Sequence, residues 1–580
     1  MGQVDEAIRN VNDLRGVGRQ MSGFDAGAWR GGLKDRTLRS AIVGILLLDQ
    51  APDWDRFLAR YDRLTRKVPV LRQRPIFGAA DLLMPRLALD PDFDLSLHLR
   101  RTRLPDGADW NDVLAEARRM SLMDFDHDRP LWETAVLEGL PGGFAAIIFK
   151  MHHAIGDGKA TVEMGTNLLE FTREGNPDEP AAPPAPEAEN ASVTAITTAN
   201  LTDTAERLVG VATGGLRIVG ELAVGTLRSP METWSEAFNT LRSIRRATEM
   251  PDGEMSPVMS KRSATYTFRT FDVPFQQMRG AAKKHDFTVN DVFLASCSTG
   301  LAKYHARFGE SAPELRFIIP VSLRDTSKDG STANEVALAR FPLPVTGVSV
   351  AERLQAAHDE VRRWRDEPAL ALTNPIMDAS WLVPVPVLAR SARGTDVTTS
   401  NVPGPPIPCY ISGAQIVGTW PLVATGGGAA NITMVTYDGT AFVGVSSDDK
   451  AIADPDAFLA DLRDGFAEVI AAPVGPGSPI EEAEHRQASH AQRTVGEQAA
   501  ANPSAKAKSP RKRTAAKKAT AKKAATKKAS PSKRASATAA AKKAATKSAK
   551  SQGTTAAKTA PKKPPTAKKT ATKPAADKEN

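Results

Sequence analysis

One heptapeptide constrains this chain more than any other stretch. His152-His153-Ala154-Ile155-Gly156-Asp157-Gly158 follows the apolar run Phe144-Ala145-Ala146-Ile147-Ile148-Phe149. A short apolar run bounded by turn residues reads as a buried strand. Gly156, Asp157 and Gly158 then break the strand pattern. From Lys159 to Phe171 apolar residues recur at roughly helical spacing (Val162, Leu168, Leu169, Phe171), which predicts a helix after the turn. The histidine pair is therefore expected at the exit of a buried strand. Such a place suits a general base, because the scaffold fixes the imidazole while one side stays open to substrate. Imidazole titrates near neutral pH and can take a proton from a hydroxyl and hand it on. Neighbouring strand side chains point to opposite faces, so one histidine should face the reaction and the other should pack. No further His or Cys lies nearby to complete a zinc site, so no metal is expected here.

The charge is split along the chain. Residues 501–580 carry 24 Lys and Arg against 2 Asp and Glu, a net of +22; the remaining 500 residues carry 52 against 65, a net of −13. Only the tail should seek polyanions. From residue 501 onward there is no Val, Ile, Leu, Met, Cys or aromatic residue, so the tail cannot offset its ordering entropy and is expected to be disordered alone. Lys pairs at 517–518, 522–523 and 527–528 recur every five residues, similar to the tails of linker-histone-like and mycobacterial nucleoid proteins and of a heparin-binding adhesin.

Two cysteines, Cys297 and Cys409, give no disulfide framework and fit a reducing cytosol. The stretch Met1-Gly2-Gln3-Val4-Asp5-Glu6 lacks the apolar region of a secretory signal. No stretch approaches the ~18–20 apolar residues of a spanning helix. The expectation is a cytoplasmic protein that meets the inner membrane or lipid droplets only peripherally.

Four regions follow. Residues 20–172 alternate helical patterns (Trp54–Leu64, Leu114–Leu122) with strand patterns (Ala41–Leu48, Phe144–Phe149), a mixed α/β unit. Residues 173–259 hold a Pro/Ala/Glu-rich segment, read as a solvated linker, and a helical stretch from Thr202 to Arg246. That stretch reads as a crossover helix on the body or as an interfacial helix with a cationic face. Residues 260–470 resume the alternation, with strands at Tyr266–Val273, Phe317–Val321 and Ala441–Val445 and a helix at Asn290–Tyr304. Residues 475–580 form the Lys/Ala/Pro-rich tail, expected to be disordered.

HHxxxDG resembles the motif of the CoA-dependent acyltransferase superfamily. Further segments narrow the likeness: Pro130-Leu131-Trp132-Glu133, Val289-Asn290-Asp291-Val292, Ile319-Pro320-Val321-Ser322-Leu323-Arg324, and Ser400-Asn401-Val402-Pro403-Gly404-Pro405. Together, in this order, they look like the bacterial wax ester synthase/diacylglycerol acyltransferase family over roughly residues 20–470. Where that family commonly has a Pro-Met-His-Val-Gly-like segment, this chain has Leu38-Arg39-Ser40-Ala41-Ile42-Val43-Gly44. The early Leu-Asp-Ala-like stretch is Phe24-Asp25-Ala26, and the final strand region near Tyr437-Asp438-Gly439 keeps a loose likeness.

The resemblance implies an α/β fold of two chloramphenicol-acetyltransferase-like halves with mixed sheets, joined by a helical crossover. It implies O-acyl transfer from acyl-CoA, a substrate rather than a cofactor, to diacylglycerol or a long-chain alcohol. By the same likeness His153 is the general base, beside His152. Asp157 holds the turn and Gly158 lets backbone approach closely. Asn290 could donate to the oxyanion or cap the helix starting at Asp291. Pro130 and Trp132 could line an acyl route or pack the core. Ser400 and Asn401, read with the residues to Pro405 as a rigid loop, could touch substrate or form a structural turn. Two other classes stay open: a condensation-type enzyme forming amides, and a weakly active tether whose tail 501–580 binds anionic lipid or nucleic acid.

Overall fold

A computed structural model of the chain describes residues 18–77, 84–156, 164–165, 167–187, 192–206, 255–284, 286–322, 336–365, 381, 383–471, 474 and 479–487. Its strands are β1 (Arg19–Gln20), β2 (Ala41–Leu48), β3 (Gln73–Ile76), β4 (Arg86–Leu89), β5 (Leu99–Arg103), β6 (Trp132–Glu138), β7 (Ala145–His152), β8 (Tyr266–Pro274), β9 (Glu314–Ser322), β10 (Val336–Pro344), β11 (Val397–Pro403), β12 (Tyr410–Ile411), β13 (Ala414–Val423), β14 (Ala430–Tyr437) and β15 (Thr440–Asp448). Its main helices are α1 (Gly23–Lys34), α2 (Trp54–Lys67), α3 (Trp110–Leu122), α4 (Phe275–Lys284), α5 (Val289–Arg307), α6 (Val350–Arg365), α7 (Val385–Arg393) and α8 (Pro455–Ile470).

Two six-stranded sheets organise the molecule, ordered β12-β13-β2-β7-β6-β5 and β10-β9-β11-β14-β15-β8. Each mixes parallel and antiparallel pairs: β5 runs parallel to β6, and β11 runs parallel to both β9 and β14. The central strands β2 and β7 are near-continuous apolar runs because both faces of their sheet are covered. α2 lays Phe57, Tyr61 and Leu64 against the first sheet, a helical spacing, and Asp53 caps it by accepting the Arg56 N–H at 3.0 Å. One apolar core sits on the first sheet and a second on the other.

The first sheet is not built from the first half of the sequence alone. β12 and β13, from residues 410–423, complete it by pairing β13 with β2. The chain then passes through six residues and enters β14 of the second sheet. The two sheets are therefore stitched together by this short passage.

The helix expected to run to Phe171 does not reach it. Residues 167–168 form a turn, Glu170 bridges to Tyr410 and Phe171 is 71% exposed. Residues 164–165 are helical, and the apolar residues from Leu168 onward belong to a turn that anchors β12. The Pro/Ala/Glu segment is likewise no free linker in its described part. Arg60 binds Leu168 O at 3.1 Å and Glu179 at 3.0 Å; Arg56 binds Glu174 O at 3.2 Å; Arg66 binds Pro183 O at 3.3 Å. Arg63 reaches Pro180 O. Proline lacks a donor but keeps its carbonyl, so an arginine comb along α2 can strap a proline-rich strand down. Residues 193–206 are helical. Most of the stretch from Thr202 to Arg246, and the whole basic tail 501–580, lie outside the described residues.

Candidate active site

The histidine pair stands where the sequence pattern puts it, at the exit of β7. His152 is the last residue of that strand and pairs with Ala41 of β2. His153 opens a single helical turn, His153–Ile155. Backbone bonds hold both in place. The His152 N–H donates to Leu131 O at 2.9 Å, and the His153 N–H donates to Ser40 O at 2.9 Å. Gly156 N–H returns to His153 O at 3.2 Å. The segment around Leu131 and the segment around Ser40 thus act on the site through their carbonyls.

The two rings sit in different surroundings. His152 is buried, with Trp29 of α1 edge-on at 5.1 Å and Phe125 at 5.8 Å. Its Nδ1 accepts the Ala154 N–H at 3.0 Å, so the ring carries its proton on Nε2. Burial drives its pKa down to about 3, and the neighbouring His153 pushes the same way. His152 is therefore a neutral, oriented ring at working pH. His153 is half-buried, with Phe24 of α1 edge-on at 5.8 Å. It is the more accessible of the two. α1 thus presents one aromatic ring to each histidine, and Ser22 caps it by accepting the Asp25 N–H at 3.1 Å.

Sequence reasoning missed the support beneath the pair. Lys150 lies on the same face of β7 as His152, two residues earlier, and is fully buried. Its ammonium donates to Glu133 and to Met123 O, each at 3.0 Å, and sits 3.9 Å from the Phe125 ring centroid. Burial lowers its pKa, partly offset by Glu133. The lone charged residue inside an otherwise apolar run was the available signal. A recess beside His152, lined in part by Trp29, Arg39, Asp124 and His127, has a volume of about 20 Å³, room for a single water. It is no substrate cavity.

A larger cleft of about 240 Å³ lies between the start of α3, β8, α8 and the helix at 479–487. There Glu482 is pushed up to about 9 by burial and by Asp272, while Arg486 pairs with Asp272. None of the residues lining it belongs to the turn of the histidines.

The other expected site residues fall into distinct places. Pro130 is buried. Trp132 is 1% exposed, donates its indole N–H to Leu71 O at 2.8 Å and stacks between Tyr61 and His98. Its cross-strand partner is Met151, so it lies on the opposite face of the sheet from His152. Core packing is its observed role. Asn290 does not cap a helix: α5 begins at Val289, and the cap is Thr288, whose hydroxyl accepts the Asp291 N–H while Asp291 accepts the Thr288 N–H. The capping box was legible in Thr288 and Asp291 but shifted by two residues from the expectation. Ser400 and Asn401 are in a strand, β11, rather than a rigid loop; only Gly404–Cys409 loops out. β-branched Thr398, Thr399 and Val402 favour the strand, and Pro403 ends it. Ser400 pairs with Thr433 and Asn401 with Met434, so the two side chains point to opposite faces. Asp157 and Gly158 lie outside the described residues. Among the described residues no group of three His, Cys, Asp or Glu could hold a metal ion, and no helix is long and apolar enough to cross a membrane.

Two half-folds, stitched strands and HHxxxDG at a strand exit meet in comparisons with known proteins. The wax ester synthase/diacylglycerol acyltransferase catalytic domain matches residues 21–293, and the WS/DGAT C-terminal domain matches residues 332–469. The chain belongs to the wax ester synthase/diacylglycerol acyltransferase family. A putative diacylglycerol O-acyltransferase of Mycobacterium tuberculosis (strain ATCC 25618 / H37Rv) is 30% identical over 450 residues, covering 77% of this chain and 91% of that one. A probable diacylglycerol O-acyltransferase of the same strain is 26% identical over 465 residues, covering 77% and 95%. Among solved structures, the wax ester synthase/diacylglycerol acyltransferase from Marinobacter aquaeolei VT8 matches with a TM-score of 0.51 at 23% identity, covering 78% and 98%. The first condensation domain of the calcium-dependent antibiotic synthetase matches at 0.50 and 16% identity, covering 79% and 98%. These two likenesses establish the fold: α/β, with two halves of the condensation-domain type. Family membership makes the chain an acyl-CoA-dependent O-acyltransferase of the class that forms triacylglycerol or wax esters.

Proposed function

We propose that His153 is the general base of this acyl transfer. The acceptor hydroxyl attacks the thioester carbonyl while its proton passes to the His153 ring. The tetrahedral intermediate collapses, the C–S bond breaks, and the proton goes on to the CoA thiolate. An ester forms and no acyl-enzyme is needed. The observation that carries the assignment is the contrast within the pair. His152 is buried, neutral and committed through Nδ1, whereas His153 is half-exposed at the same strand exit. Asp157 and Gly158 would shape the turn that follows.

The test is product analysis with one long-chain acyl-CoA and two acceptors, a diacylglycerol and a long-chain alcohol. His153→Ala should lower turnover about 10²–10⁴-fold with either acceptor. His152→Ala should cost less. A folded His153→Ala enzyme with near wild-type turnover overturns the assignment. With a long-chain amine added as a third acceptor, the hydroxyls should still be acylated in preference; preferential amide formation would favour the condensation-type reading.

The acidic body and the +22 tail support a second element of the reading: the tail is an arm for polyanions, and contact with an anionic lipid surface is peripheral.

A further inference from the structure

The second sheet turns one face to its own apolar core and the other toward the first sheet. Gly444 fixes which is which. A Cβ there would stand 1.7 Å from Pro421 O of β13, so the face carrying position 444 meets the first sheet. Ser446, two residues on, shares that face. Cross-strand register then extends a row from it across the sheet: Ser446 pairs with Asn431, Asn431 with Thr398, Thr398 with Ile318 and Ile318 with Arg340. Four of these five inward-facing residues are polar. The other face, by contrast, contributes Ala339, Phe317, Val397, Ile432 and Val445 to the second core.

Topology places this row at the histidine end. From the contact at Pro421, β13 runs to Val423, which pairs with Ile42, and Ala424 N–H bonds Ala41 O at 3.1 Å. Ala41 is the partner of His152. Six residues after Val423 the chain enters β14, whose second residue is Asn431. The polar row and the histidines therefore lie on the same side of the Pro421–Gly444 contact.

Two donors of the row lack a partner among the described residues. Ser446 is fully buried and its hydroxyl has no partner among the described residues. Asn431 is buried and directs its amide oxygen to Thr433 at 2.7 Å, which leaves its NH₂ for another acceptor. The Arg340 Nε is buried without a partner, and no carboxylate pairs with this guanidinium among the described residues. Burial lowers the Arg340 pKa. Beside the row the sheet also parts: β9 and β11 pair only at Val397–Phe317 and Thr398–Ile318, so the edge of β11 from Thr399 onward, with Ser400 facing inward, lacks a ladder partner on that side.

We propose that Arg340, Thr398 and Asn431 form an acceptor-selecting wall that donates to the ester carbonyls of a diacylglycerol, and so prefers it over a long-chain alcohol. The proposal rests on the reading of His153 as the base that takes the acceptor's hydroxyl proton. Neutral carbonyls suit the row because a single guanidinium among hydroxyls could not neutralise a buried phosphate dianion. A long-chain alcohol has one hydroxyl, which is spent at the histidine. Its hydrocarbon would leave the guanidinium and the amide unpaired, and sites built to hydrogen-bond a substrate reject analogues that lack the partner.

The test compares kcat/KM for a dioleoylglycerol and for a long-chain alcohol, each with the same long-chain acyl-CoA, in the full-length chain. Arg340→Met should lower the diacylglycerol-to-alcohol ratio about 10- to 100-fold, mainly through a higher KM for diacylglycerol, with the KM for acyl-CoA unmoved. Arg340→Lys should recover part of the ratio, and Thr398→Val should lower it less. An unchanged ratio in Arg340→Met, or a rise in the KM for acyl-CoA with both acceptors, overturns the proposal. If Arg340→Met does not fold, Arg340→Lys and Thr398→Val decide by the same ratio. His153→Ala lowers both acceptors together, so failure of the base assignment and failure of the wall give different patterns.

Discussion

Pro421 and Gly444 bring the two sheets into backbone contact. The Pro421 carbonyl occupies the space where any Cβ at position 444 would go, 1.7 Å away, with Leu422 at 3.0 Å. The carbonyl cannot yield cheaply, because Pro421 is held in the ladder to Gly44 of β2. Gly444→Ala should therefore push the halves apart. The expected loss is about 3 kcal/mol, at the upper end of overpacking costs, visible as a lower Tm by differential scanning fluorimetry. Because Asn431 and Ser446 of the polar row lie just beyond this contact, turnover should fall as well. An alanine variant with wild-type Tm means the sheets are not pinned there.

His152 gives a pH-dependent prediction with a definite sign. Its folded pKa is about 3, against 6.5 for the free ring. Between those values the unfolded chain binds a proton that the folded chain does not. Stability must then fall as pH drops through that window, by at most about 1.4 kcal/mol per unit from this one residue. His152→Gln removes the titration. Its Tm should decline less steeply than that of the wild type between neutral pH and the lower end of the window. Parallel curves would mean that His152 is not held neutral by burial.

Glu170 ties three elements together. One carboxylate oxygen accepts from Arg56 at 3.0 Å and Arg60 at 3.3 Å; the other accepts the Ser412 N–H at 2.7 Å. It is buried, so Glu170→Ala removes an acceptor shared by two guanidinium groups and leaves the Ser412 N–H without its partner beside strands β12 and β13. About 3 kcal/mol should be lost in urea unfolding, and Glu170→Gln should lose less because it keeps acceptors for Ser412. Equal stability of the alanine variant would show that the turn at 167–175 does not hold those strands.

Period-two alternation and continuous apolar runs were enough to read β2, β7, β8 and β15 from the sequence, because their side chains carry the burial pattern locally. The same holds for α2 and α3. The joining of β13 to β2 was not legible, since nothing in residues 410–423 says which sheet they enter, and their ladder partners Ile42–Leu48 lie near the other end of the sequence. The histidine pair was legible as a motif, and the split into a packed ring and a more open ring followed from strand alternation. What the motif could not reveal was the shell around it. Trp29 and Phe24 come from α1 and Phe125 from the segment before β6, and they converge only once the sheet is assembled; Lys150 alone lay in view, two residues before His152 on β7. Nothing in the sequence singled out Arg340, because its lack of a carboxylate partner among the described residues is a property of three dimensions. The arginine comb of α2 was readable as a charged helix face, yet the proline-rich segment it grips was read as a solvated linker, because composition reports side chains and the bonds are made to carbonyls.

The tail from residue 501 is expected to bind polyanions and to be dispensable for chemistry. It concentrates a net +22 in 80 residues with no side chain able to build a core, whereas the rest of the chain is net −13. Cations near an anionic membrane contribute about 1 kcal/mol each, and on duplex DNA they bind by releasing counterions. Either attraction weakens steeply with salt. Deleting residues 501–580 should leave turnover of dispersed substrate nearly unchanged and abolish salt-sensitive binding to anionic vesicles or duplex DNA in a flotation or gel-shift assay. The lipid substrates of the family favour vesicles as the better ligand; the lysine spacing favours DNA, and titrating both against the full-length chain separates the two. Equal binding by the full-length and truncated chains at low salt would remove the arm from the account. Binding that survives molar salt would be apolar, and attention would move to the helical sequence from Thr202 to Arg246, whose Leu208, Val211, Ile218 and Leu222 recur at spacings suited to a lipid-facing side.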